Sequence, residues 1–157
     1  MMVKKLLALA LLLFVAWEMK AQLPPPCGSN QDPPADLCSD ICIYCNFNGI
    51  MANSGGYTGQ TPPGGFCSGI QNEMWLGFIA GAAAATFTVT PSNCQQGNGM
   101  QIALYSSCDS APIACNGGNQ GGGNTPQSIT ASMTPGVNYY LLIDGYGGDV
   151  CDYTVTV

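Results

Sequence analysis

The chain has 157 residues, a formal net charge of −6 and a charged fraction of only 8%. Its three cations, Lys4, Lys5 and Lys20, lie in the first twenty residues, and it contains no Arg and no His. Without histidine there is no Ser-His-Asp or Cys-His catalytic arrangement, and without cations there is nothing to hold a phosphate or a nucleic acid.

Met1-Met2-Val3-Lys4-Lys5 is the positive start of an export signal, and the apolar run Leu6 to Trp17 follows it. That run is too short for the roughly 20 residues that cross a bilayer as a helix. Cleavage is expected after Ala21, so residues 1–21 are a signal peptide and the mature chain spans no membrane. Of the nine carboxylates, Glu18 lies in the signal, which leaves eight facing no cation: Asp32, Asp36, Asp40, Glu73, Asp109, Asp144, Asp149 and Asp152. The expected location is secreted, extracellular or on a cell surface.

Glycines number 21 and prolines 11, which disfavours helices and suits turns between Thr-, Val-, Ile- and Tyr-containing strands. Residues 22–66 read as a Pro/Gly-rich, Cys-containing lead-in packed on or preceding the main body, with one short strand at Ile43 to Phe47. Residues 67–157 read as an antiparallel β-sandwich of jelly-roll or immunoglobulin-like type. In chain order, Met74 to Ala80 and Ala84 to Thr90 are expected to pair around Gly81. In the second of these, Phe87 and Val89 alternate with Thr86, Thr88 and Thr90. Met100, Ile102 and Leu104 mark a third strand and Ser128 to Met133 a fourth. Val137 to Asp144 is apolar on both phases, as in a central strand. Cys151, Tyr153 and Val155 mark a last strand, expected to pair with its predecessor through Gly145-Tyr146-Gly147-Gly148.

Nine cysteines, Cys27, Cys38, Cys42, Cys45, Cys67, Cys94, Cys108, Cys115 and Cys151, follow the signal and are disulfide candidates with one left over. The Cys38-x3-Cys42-x2-Cys45 spacing also suits zinc, but export favours oxidation. Cys108 and Cys115 could bridge locally, and Cys94 with Cys151 is a further possible pair.

The series Phe66-Cys67-Ser68-Gly69, Trp75-Leu76-Gly77-Phe78-Ile79-Ala80-Gly81, Phe87-Thr88-Val89, Asn93-Cys94, Gln101 to Cys108, Tyr139 to Gly145 and Gly148 to Tyr153 resembles the N-terminal β-sandwich module of large secreted proteins of gliding bacteria. Those proteins are labelled gliding-motility-associated and are exported by the type IX route. More distantly, the Trp-x-x-Phe, Leu-Tyr and Gly-x-x-Tyr-Tyr-Leu-x-Ile steps resemble the bacterial pre-peptidase C-terminal domain. The resemblance covers roughly residues 36–157 and implies a non-catalytic module of an adhesin-like protein or an enzyme. The chain departs from the pattern by stopping at Val157 without a sorting domain, so either a longer protein continues beyond it or the domain stands alone.

For chemistry, Asp144, Asp149 and Asp152 around a glycine-bent turn form a candidate calcium set, since calcium takes six to eight oxygens. The alternative is a turn in which Asp144 and Asp149 accept loop N–H groups. Tyr146 is the candidate contact to a sugar face. The expected partners are a glycan or protein surface, or further copies of the chain in a fibre. The third alternative is an accessory domain of a hydrolase.

Overall fold

The computed structural model describes residues 23–29, 32–46, 48–118 and 122–157; the expected signal over residues 1–21 lies outside them. Among the described residues, nine strands and two short 3-10 turns make up the regular structure. The strands are β1 (Ile43–Tyr44), β2 (Met51–Asn53), β3 (Met74–Ile79), β4 (Ala84–Ser92), β5 (Met100–Tyr105), β6 (Ala114–Asn116), β7 (Gln127–Ser132), β8 (Asn138–Gly145) and β9 (Asp152–Thr156). They form a five-stranded sheet, β1-β3-β8-β5-β6, and a four-stranded sheet, β2-β9-β4-β7. All pairings are antiparallel except that of β1 with β3. The chain is an all-β, disulfide-stabilised sandwich, and among the described residues no helix is long and apolar enough to cross a membrane.

Side-chain alternation sorts the strands between the sheets. In β4, Phe87 and Val89 are buried while Thr86 and Thr90 are exposed; in β7, Ile129 and Ala131 point inward and Ser128 and Thr130 outward. Such strands have one wet face and form the four-stranded sheet. By contrast β3, β5 and most of β8 are buried on both phases. Their inner residues, among them Leu76, Ile102 and Leu141, meet the other sheet in the main core, where Phe78 and Phe87 stack across the sandwich at 5.3 Å between ring centroids. Their outer residues Trp75, Ala103, Tyr105 and Leu142 form a second cluster with Ile41, Phe66 and Ile70.

That second cluster exists because the Cys-rich segment folds over the five-stranded sheet. Cys38–Cys108 and Cys67–Cys115 pin it there, Cys27–Cys42 closes a local loop, and Cys94–Cys151 joins two loops at a sandwich end. The segment expected as a lead-in also supplies an edge strand to each sheet, β1 and β2.

Several sequence expectations are corrected. The strand from Ile43 covers only Ile43–Tyr44, and Phe47 lies outside the described residues. The Gly81 connection and the 145–148 turn are not hairpins: β3 and β8 lie in one sheet, β4 and β9 in the other, so both connections cross the sandwich. Cys108 and Cys115 do not bridge locally, because β5 and the covering segment bring each to a distant partner. Neither Cys38 nor Cys42 is available to zinc, and Cys45 is the unpaired, exposed cysteine.

Candidate functional site

The acidic turn after β8 forms a buried polar hub rather than an open ion site. Asp144, at the end of the central strand, is fully buried. It accepts the backbone N–H groups of Gln71 at 3.0 Å and Asn72 at 2.7 Å, and the side-chain amide of its cross-strand partner Gln101. Burial raises its pKa, and the Gln101, Asn72 and Gln71 donors offset only part of that rise. Asn72 ties the hub together: its amide donates to the carbonyls of Ser54 at 3.0 Å and Asp149 at 3.1 Å, and its oxygen accepts Gly145 N–H at 2.9 Å. The Ser54 hydroxyl donates to the Asp149 carbonyl and accepts Cys151 N–H. The Asp149 carbonyl sits where a Cβ on residue 145 would fall, so glycine is required there.

Asp149 is also fully buried, and its carboxylate accepts three backbone N–H groups, from Gln96 at 2.8 Å, Asn98 at 2.6 Å and Gly99 at 2.9 Å. Burial alone would raise its pKa, yet these donors hold it below the usual carboxylate value. Asp152, on the wet face of β9, takes the side-chain amides of Asn93 at 2.9 Å and Asn53 at 2.8 Å, and these lower its pKa.

The three carboxylates expected to share a calcium ion therefore hold separate sets of N–H donors. Among the described residues, the one grouping of potential ligand atoms within 4.8 Å that includes any of them is Cys94, Asp149 and Cys151, and both of its sulfurs are in a disulfide. Calcium needs several converging, donor-free oxygens. The residues present do not fit it; backbone and amide N–H groups take the cation's role.

A second acidic locus lies on the outward face of the five-stranded sheet. Glu73 and Trp75 are two residues apart and so project to the same face; both are almost completely buried. Glu73 lies one residue beyond the Met74–Ile143 pair and hence beside Asp144. Both of its oxygens accept the Gln60 N–H, at 2.9 and 2.8 Å. Burial pushes its pKa up to about 7; the N–H groups of Gln60 and of Glu73 itself oppose the rise, and Asp144 and Asp36 add to it. Next to it opens a cleft of about 210 Å³, walled by Gln60, Pro62, Glu73, Trp75, Cys108 and Asp109 among others.

No protein-family model matches the chain, and no curated protein does. Among solved structures, the fold is similar to the pre-peptidase C-terminal domain of a collagenase from Bacillus anthracis. The TM-score is 0.38 and the identity 18%, over 74% of this chain and 90% of that one.

Tyr146 opens the 3-10 turn after β8 and is half-buried; its ring edge lies 3.0 Å from where a Cβ on Gly118 would sit. Tyr105 is fully buried and donates to the Gly65 carbonyl at 2.7 Å, so it is a core residue and not a surface ring. Sequence reading missed Asn72, Ser54 and Gln101, whose roles depend on chain segments far apart. The one local signal was the polar pair Asn72-Glu73 directly before a strand apolar on both phases.

Proposed function

We propose that the chain is a secreted, non-catalytic binding module of a cell-surface or released protein of adhesin type, contacting a glycan or a protein surface. The observation that carries this reading is the engagement of the buried carboxylates: Asp144 receives two loop N–H groups and the Gln101 amide of β5, and Asp149 receives three loop N–H groups. A hydrolytic pair would instead need two carboxyl groups facing a shared substrate. Four disulfides suit an oxidising, extracellular setting. Tyr146, half-exposed on a turn fixed by the hub, is the proposed contact residue.

The test is binding of the oxidised protein to glycan and surface-protein arrays, with the ligand assayed afterwards for cleavage. Saturable binding with intact ligand is expected, with several-fold weakening in Tyr146→Ala; turnover of the ligand would contradict the non-catalytic reading.

A second reading, a subunit of an extracellular fibre, is favoured by the exposed Cys45 thiol and by the short edge strand β2 with Met51 72% exposed. It predicts covalent multimers on non-reducing gels that collapse to monomer in Cys45→Ser.

A further inference from the structure

The outer edge of β7 is the longest sheet margin left uncovered among the described residues. Inter-strand bonds alternate along an antiparallel pair, so every second residue turns its N–H and C=O away from the partner strand. Between β4 and β7 the phase is fixed by Met133 N–H, which donates to Ala83 O, and by the pairs Ala85–Ala131, Phe87–Ile129 and Val89–Gln127 that follow it in register. The intervening Ser128, Thr130 and Ser132 therefore point their backbone groups outward. Ser128 O takes the Asn116 amide at 3.3 Å; among the described residues the other groups have no partner. All three side chains are exposed, and a groove of about 680 Å³ between β6 and β7 leaves the stretch from Ser128 to Thr130 open. The remaining margins are short or shielded: Pro25 and Cys27 bond to Ile43 beside β1, Pro33 and Pro34 flank β2, and β6 has three residues. Sheet margins are ordinarily protected by charge, proline or a bulge. β7 has no charge and no proline, and its register with β4 is unbroken.

We infer that this edge is an interface between two copies of the chain, joined antiparallel about a two-fold axis at Thr130. Thr130 exchanges N–H and C=O bonds with its counterpart, and Ser128 does so with Ser132 of the second copy. Ile129 meets Ala131 of the second copy on the inner face. On the outer face the hydroxyl pairs Thr86–Thr130 and Thr88–Ser128, both at 2.8 Å, continue into the same pairs of the second copy. Charge selects a copy as the occupant. The chain beyond Lys20 carries eight carboxylates and no cation, so two copies can approach closely only where neither presents a carboxylate, and β4 and β7 carry none. Asp152, on β9, lies two strands in from the edge, about 10 Å away, which is roughly a Debye length. A basic partner would gain nothing from so neutral an edge. The two-fold contact closes on itself, unlike a fibre linked through Cys45 and β2.

Sedimentation velocity of the oxidised Cys45→Ser protein, which cannot link covalently through that thiol, tests the interface over a concentration series reaching the millimolar range. A reversible dimer is expected, with the amides of Ser128, Thr130 and Ser132 slow to exchange in the dimer and fast on dilution. Thr130→Pro removes only an outward N–H, which an edge strand tolerates, and Thr130→Lys sets two like charges opposite each other. Each is expected to weaken dimerisation at least roughly tenfold. Thr90→Lys, exposed on the same face but inside the sheet, should leave it unchanged. A monomer throughout the series would overturn the self-pairing and leave the edge to a different chain. A dimer that persists in both folded Thr130 variants, or whose three amides still exchange fast, would overturn it equally. Dimerisation is independent of the contact proposed at Tyr146, so either can fail while the other holds.

Discussion

Gln101 and Asp144 face each other directly across β5 and β8, and the Gln101 amide donates to the Asp144 carboxylate while also reaching the Gly69 carbonyl at 2.6 Å. A single amide thus links the central strand to the segment that covers it. Replacing the acceptor by a donor should be costly. Asp144→Asn sets an NH2 group against a neighbouring N–H donor, and rotating Gln101 to relieve this would turn its oxygen toward Gly69 O. The expected loss is about 1–3 kcal/mol, read from the urea midpoint at neutral pH.

Asn72→Ala removes both donors and the acceptor that join Ser54, Gly145 and Asp149. Buried groups left without partners should make this the most damaging of the polar substitutions, at roughly 3 kcal/mol. Amide hydrogen exchange at Gly145 should accelerate in the variant.

The pH dependence follows from Glu73. Unfolded, it ionises near its ordinary 4.5; folded, near 7. Between those values the native state keeps a proton that the unfolded state has released, so stability falls as pH rises through the window and levels off above it. Asp144, also raised, acts with the same sign. Asp149 and Asp152 are lowered, so their contribution is present above the ordinary 3.8 and is lost as pH falls through their folded values. Stability should therefore peak in mild acid. Denaturation across a pH series should show a decline of at most roughly 2–3 kcal/mol between the peak and neutrality, and Glu73→Gln should flatten most of it.

Paired serine substitution of Cys38 and Cys108 opens a link of 70 residues, against 15 for Cys27 and Cys42. Loop-closure entropy gives about 4 and about 3 kcal/mol respectively. The first pair also holds the cover over Trp75, so its loss should red-shift the tryptophan emission, whereas loss of the second should not.

Much of the fold was legible in the sequence, because burial writes itself into alternation. Phe87 and Val89 against Thr86, Thr88 and Thr90 marked a strand with one wet face, and the two-phase apolar run ending at Asp144 marked the central strand. The connections differ in the same way: β3 and most of β8 are buried on both phases while β4 and β9 alternate, and each pair of consecutive strands, β3 with β4 and β8 with β9, is split between the two sheets. Of the disulfide pairs, Cys94 with Cys151 was offered from the sequence and is formed, whereas Cys38 and Cys67 meet partners 70 and 48 residues away that no local spacing announces. Nor was the hub: the three carboxylates were visible, but the N–H donors that fill them come from residues 53, 71–72, 93–101, and nothing local to the turn announces them.

The acidic residues of the 144–152 stretch accept internal N–H groups in a disulfide-locked sandwich, an arrangement that leaves no role for a bound calcium ion. Thermal melting of the oxidised protein in chelator and then in millimolar calcium separates this arrangement from an ion site. The two midpoints are expected to agree within about 1 °C, because a ligand stabilises only what it binds; a rise of several degrees in calcium, abolished by Asp149→Asn, would contradict it.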